Sequence, residues 1–207
     1  MAGTTDERTA RRRASIIDAA RTVFLDKGFA GANMDEVVTL ASASKRTVYG
    51  HFRDKEGLFT AVITSDIHAA ERQSQAIVEA LAVTDDLEAD LRAFARKHIA
   101  IVTQPHLVRL RRLVIGEAER FPALAREWHA SGPGRSHDTF ARVFSALADR
   151  GLLTVPDPLV AAQHFNWLVL SIPLNTAMFR PADTFSTAEL NHWADEGVRV
   201  FLAAYGS

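Results

Sequence analysis

The stretch Asn33 to Lys55, NMDEVVTLASASKRTVYGHFRDK, constrains the fold more than any other part of the chain. It reads as two short helices joined by a tight turn, with a third helix starting at its end. Asn33 is a favoured N-cap, and Glu36 follows at the spacing of a capping box. Val37, Val38 and Leu40 are the apolar residues of the first short helix. Ala41, Ser42 and Ala43 form a turn of small residues, and Ser44 is a second N-cap, opening a helix through Phe52.

The position of the cations suggests a partner. Lys45 and Arg46 fall in the first turn of the second helix, and Lys55 follows the capping Asp54 in the first turn of the next. A helix N-terminus carries partial positive charge, so a cation there costs up to about 1 kcal/mol. The same termini are anion sites. Two of them close together in the chain predict a row of phosphates; the alternative is exposed charge screened by salt. Val48 and Phe52, four apart, pack inward, which leaves Lys45, Thr47, Tyr49 and His51 to point elsewhere. Lys, Arg and Thr reach base edges in a major groove, and Tyr and His donate to phosphates. Lys45, Arg46 and Thr47 are therefore assigned to base contact. Asn33, Ser44, Tyr49, His51 and Lys55 are assigned to phosphate contact or helix capping. Upstream, Arg8, Arg11, Arg12 and Arg13 either contact phosphates or a minor groove, or form a solvated helix start.

With these residues in place, Ala14 to Ile63 resembles the DNA-binding domain of TetR-family transcriptional regulators, and SKRTVYGHFRDKEGLF is similar to the family's signature. Ser42 departs from the Gly usual at that turn. The segments RRLVIGEAERFPALAREWHASGPGR and LADRGLLTVPDPLVAAQHF resemble the C-terminal domain of the AefR-like branch. The resemblance implies a homodimer held by a four-helix bundle, and an effector that changes the distance between the two DNA-reading heads.

The rest of the chain is consistent with an all-α fold of nine or ten helices. An N-terminal three-helix helix-turn-helix domain spans 1–55, with a disordered arm over 1–7. A C-terminal helical ligand-binding and dimerisation domain spans 56–207. Ile16, Ile17, Ala20, Val23 and Phe24 form the stripe of the first helix, and Gly28 stops it. A long helix from Lys55 carries Leu58, Phe59, Val62, Ile63, Ile67, Ala70, Ile77, Val78 and Leu81. Gly132-Pro133-Gly134 is the strongest breaker in the chain. The run from Pro158 to Phe179 is apolar on more than one face but too interrupted to cross a membrane, and Pro173 should kink it. The last helix, Thr187 to Ala204, has a regular apolar stripe. These two apolar helices predict a homodimer, which would let two recognition helices read a palindromic operator in double-stranded DNA.

Charge supports this weakly. Residues 1–60 hold 10 Lys+Arg against 8 Asp+Glu, and residues 61–207 hold 14 against 17. The chain has no cysteine, which excludes thiolate chemistry and suits a reducing, cytoplasmic compartment. Eight histidines form no metal-binding pattern, no cofactor fingerprint is present, and no motif marks an enzyme. Phe94, His98, Trp128, Phe140, Phe144 and Trp167 are candidates to line an effector pocket for a largely apolar small molecule, or are plain core. The sequence thus reads as a dimeric transcriptional regulator, a repressor released by a small molecule. The alternatives are a regulator whose body binds a protein partner or only dimerises, and an α-helical enzyme without a signature.

Overall fold

The computed structural model describes residues 3–207, without the side chains of 3–5, 70, 71 and 73–77. The expectations for residues 1 and 2, and for the inward side chains of Ala70 and Ile77, lie outside the described residues. Among those described, ten α-helices follow one another: α1 (Gly3–Gly31), α2 (Met34–Leu40), α3 (Lys45–His51), α4 (Lys55–Leu81), α5 (Leu87–Val102), α6 (Pro105–Gly116), α7 (Pro122–His129), α8 (Arg135–Asp149), α9 (Pro158–Phe179) and α10 (Thr187–Tyr205). They build two compact units, one from Met1–Ile67 with Leu110–Trp128, the other from His68–Arg109 with His129–Ser207. No described helix is long and apolar enough to cross a membrane.

In the first unit, Ile16, Ile17, Ala20, Val23 and Phe24 of α1 are all buried, as their spacing requires. The chain leaves the helix at Gly28, whose φ of 68° and ψ of 176° are open to a residue without Cβ. Phe29 then returns to the core, its ring 5.0 Å from Phe59 and 4.7 Å from Phe121. Arg21 clasps Asp66 of α4 through both carboxylate oxygens, at 2.8 and 2.9 Å. The helix already runs from Gly3, where a disordered arm was expected over 1–7. Acidic Asp6 in the first turn complements the helix dipole, and Glu7 pairs with Arg11 one turn on.

Asn33 caps α2 by accepting from the Asp35 N–H at 2.9 Å. The capping box is not formed, because the Glu36 carboxylate is drawn to Lys27 at 2.6 Å. Val37 is buried but Leu40 is 54% exposed. Ser42 has a φ of 48°, the one positive value at a non-glycine among the described residues. An L-residue there carries about 1–2 kcal/mol of steric cost, and glycine returns part of any gain as unfolded-chain entropy. Ser42→Gly is expected to raise stability by about 0.5–1 kcal/mol, seen as a higher urea midpoint with an unchanged slope. An unchanged midpoint would mean that the entropy glycine adds to the unfolded chain equals the steric relief.

In the second unit, α5, α8, α9 and α10 surround an aromatic cluster. Phe165 sits centrally, 5.8 Å from Phe94, 5.9 Å from Phe140, 5.5 Å from Phe144 and 5.2 Å from Phe201. Gly197 of α10 faces the backbone of α9 so closely that a Cβ would lie 3.0 Å from the Leu168 carbonyl. Asp195 ties α10 to α5 through Arg96, at 2.7 and 2.8 Å. A true capping box opens α10, where Ser186 and Glu189 each bond the other's backbone N–H.

One expected break is absent. Gly132-Pro133-Gly134 does not break the chain; residues Ala130–Gly134 form one π-helical turn leading into α8. The N–H of Arg135 reaches back five residues to Ala130, and the wider turn accommodates Pro133, which has no N–H to place. Helix α9 also runs on through Pro173 as a single element, with that ring buried. Its other side leaves Trp167, Leu168, Ile172 and Phe179 exposed, Phe179 by 83%.

Candidate nucleic-acid interface

Helix α3 is held by one buried residue, Val48, which is fully enclosed. Phe52 anchors its end at 5% exposure. Ser44 caps its start, accepting from the Thr47 N–H at 3.1 Å, and its hydroxyl lies 2.8 Å from that of Thr47. So short a helix, pinned on one side, presents Lys45, Arg46 and Tyr49 to solvent, with Thr47 and His51 half-buried beside them.

The exposed cations are not equivalent. Lys45 holds Asp35 of α2 at 2.9 Å, and this hydrogen bond, with the carboxylate's charge, raises the lysine's pKa. Its charge is therefore partly neutralised within the protein. Arg46 has no hydrogen bond or ion pair to the described residues, which leaves its five donors available. Lys55 turns away from this face. It donates to the carbonyls of Ala32, at 2.8 Å, and Ala30, at 3.2 Å, and lies 4.7 Å from the centre of the Phe29 ring. It clasps the end of α1, and Asp54 caps α4 through the Gly57 N–H at 2.8 Å.

The N-terminal turns of α1 widen the basic face. Arg8, Thr9, Arg11, Arg12 and Ser15 line an open groove whose other wall includes Thr47 and His51. Arg13 is separate, with its guanidinium stacked over the Phe52 ring at 5.2 Å. The sequence named the four arginines as one cluster; the structure divides them into three groove residues and one that packs.

The residues expected to line an effector pocket do not all meet. Phe94, His98, Phe140 and Phe144 belong to the aromatic cluster of the second unit, with His98 5.5 Å from Phe94 and 5.4 Å from Phe140. Trp128 packs against the core of the first unit instead, and Trp167 is 43% exposed on α9. Asn166, Phe165 and His137 join the cluster without having been singled out. Asn166 is buried and its Oδ1 lies 3.1 Å from His98 Nε2, yet in the sequence it is only a polar interruption of an apolar run.

Residues 16–62 match the model of bacterial regulatory proteins of the tetR family, and residues 89–207 match that of the AefR-like transcriptional repressor C-terminal domain. The chain belongs to the TetR family of transcriptional regulators. A solved structure of a TetR-family regulator from Mesorhizobium loti shares 40% identity over 97% of this chain and 99% of that one, with a TM-score of 0.93. The Flavonoid-responsive Regulator FrrA shares 28% identity over 95% of this chain and 98% of its own, with a TM-score of 0.75. Among curated proteins, the HTH-type transcriptional activator FasR of Mycolicibacterium smegmatis is 35% identical over 82 residues, 40% of this chain. That match spans 36% of FasR, so the chain covers about a third of that relative's length. This TetR-family chain is a transcriptional regulator, not an enzyme, and the helix-turn-helix match implies DNA binding.

Proposed function

We propose that this TetR-family regulator acts in the cytoplasm as a homodimer. It would repress transcription from a palindromic operator and be released by a small molecule. The observation that carries the DNA reading is α3 itself: one buried residue, and an exposed face led by the unpaired Arg46. In this reading residues 1–55 bind DNA, and 56–207 bind effector and dimerise. Arg46 contacts bases, with Lys45 after it parts from Asp35, and with Thr47. Tyr49, His51, Ser44 and Asn33 fix the backbone register, while Lys55 shapes the site from behind.

Repression is favoured by the AefR-like repressor domain over 89–207, against the activator role in FasR's name. Release by a small molecule is supported by the aromatic cluster and by FrrA, whose name makes that protein flavonoid-responsive. Dimerisation is supported by the exposed apolar face of α9, since apolar surface of this kind marks an interaction site.

Selection of bound sequences from a random duplex library, at two salt concentrations, tests the reading. A palindromic motif with salt-sensitive affinity is expected; no enrichment at either salt would refute it. On the selected operator, Arg46→Ala should cost about 1–3 kcal/mol and relax discrimination at particular base pairs, whereas Tyr49→Ala should weaken all sequences alike. Unchanged affinity and specificity in both would reject α3 as the reading helix. The dimer has its own measurement. Light scattering should give twice the 22.7 kDa chain mass, and Trp167→Asp with Ile172→Asp should return it to the single-chain value. A monomer in the unsubstituted protein would reject the interface.

A further inference from the structure

Asp35 and Lys45 join the first turns of α2 and α3. The lysine Nζ lies 2.9 Å from both carboxylate oxygens. Both side chains stand in solvent, the lysine at 65% exposure and the aspartate at 57%. The aspartate is the fixed member of the pair. Its N–H donates to Asn33 Oδ1 at 2.9 Å, and its carbonyl accepts from the Thr39 hydroxyl at 2.9 Å. The lysine is the movable member, a compact charge on a flexible four-carbon stem. Beside it, Arg46 has no hydrogen bond or ion pair to the described residues. Two adjacent cations of one helix thus start from different states, one already neutralised by a fixed anion and the other not.

We infer that Asp35 is a specificity-determining residue of the helix-turn-helix: it holds Lys45 off the phosphates of a duplex of arbitrary sequence and releases it only to a base edge that accepts hydrogen bonds. On arbitrary sequence Lys45 can exchange Asp35 only for a phosphate. One solvated anion replaces another, so the gain is close to nothing, and the exchange leaves an unpaired carboxylate beside a negatively charged backbone. Lys45 therefore stays with Asp35. Non-specific binding, which is built almost wholly from phosphate contacts, is then short of one of them. On the operator the exchange brings hydrogen bonds to guanine O6 and N7, common acceptors for lysine in the major groove. These offset the unpaired carboxylate. Arg46, with no internal anion, contributes on either kind of duplex. An acid in the first turn of α2 also complements that helix's dipole. That role accounts for a carboxylate but not for its partner, since Glu36 supplies a second acid in the same turn and is held by Lys27 instead.

The inference rests on the DNA reading proposed above, and the experiment separates the two. Affinity for the selected operator and for a random-sequence duplex of equal length would be measured across salt. The proteins are the unsubstituted chain, Asp35→Asn, Lys45→Ala and the double variant. Asp35→Asn keeps the shape of the side chain and removes its charge. It should raise random-duplex affinity about fivefold and operator affinity less than about twofold, as one exposed ion pair allows. It should also steepen the random-duplex salt dependence by about 0.9, one more phosphate neutralised. Discrimination should fall at one base pair of each half-site and hold at the rest. In the Lys45→Ala background the same substitution should change random-duplex affinity by less than about twofold, since a coupling needs both partners. A general loss of negative charge would act equally in both backgrounds. A second readout needs no substitution: the Lys45 side-chain nitrogen NMR resonance should stay in place on the random duplex and move on the operator. No gain on the random duplex, equal gains on both duplexes, an effect that persists without Lys45, or a resonance that moves alike on both would overturn the inference and leave the DNA reading standing. No binding of the unsubstituted chain to any duplex would remove both.

Discussion

Between pH 7 and pH 4 the folded protein is expected to lose about 3 kcal/mol of stability to His98 alone. Burial holds this imidazole at about 4, against an ordinary value of 6.5; the hydrogen bond to Asn166 works against burial, and the nearby His137 adds to it. The sign follows from which state takes up the proton. Below pH 6.5 the unfolded chain protonates His98 and the folded chain does not. The stabilisation is therefore complete above the unfolded value and is lost as pH falls through the folded one. His137, also lowered by burial first and by His129 second, adds a loss of the same sign. The carboxylates with lowered values, Asp195 beside Arg96 and Glu189 in its capping box, keep their contributions above the ordinary carboxylate values and start to lose them as pH falls through those values. Urea unfolding at pH 7, 6 and 5.5 thus isolates the histidines, and pH 4.5 adds the first loss from the carboxylates. The His98→Phe, Asn166→Leu protein should show a markedly flatter profile. A flat profile in the unsubstituted protein would mean that His98 is solvated and not enclosed by Phe94 and Phe140.

Replacing Arg8, Arg11 and Arg12 together with Ala is expected to reduce the dependence of log affinity on log salt by about 2–3, near 0.9 for each phosphate no longer neutralised. At low salt that amounts to a weakening of about a hundredfold or more. The three side chains line one groove with Thr47 and His51, so a duplex engaged by α3 would carry its phosphates past them. The folded state should be nearly indifferent, because the Arg11–Glu7 pair and the 3.4 Å Arg12 bond to the Ser42 carbonyl are both solvent-exposed, and such contacts contribute little. Arg13→Ala is the internal control. Its guanidinium packs on Phe52, so it should lower stability and leave the salt slope unchanged. An unchanged slope in the triple variant would place the start of α1 away from the duplex.

The helix-turn-helix was legible because its signals are local. The caps Asn33, Ser44 and Asp54, the stop at Gly28 and the inward pair Val48 and Phe52 all act within one helical turn. At Ser42 the sequence showed only a small residue where the resemblance expects glycine; the φ of 48° came from the folded chain. The same local reasoning misjudged Gly132-Pro133-Gly134, since breaker residues are weighed against an α-helix and a π-helical turn accommodates them.

The order of residues was enough for the all-α class, the placement of α2, α3 and α4, and the face of α3 that stays in solvent, because helix periodicity and capping depend on neighbours three or four residues away. How the polar groups are used came from the folded chain alone. Folding turned Lys55 back onto carbonyls 23 and 25 residues earlier, paired Lys45 with Asp35, and set Asn166 against His98 across 68 residues. It also separated Trp128 from the phenylalanine cluster that contains His98. Each of these depends on which helix faces come together. Periodicity states that a face is buried but does not name the face that buries it, so the fold was readable in the chain while the chemistry of its interior was settled by packing.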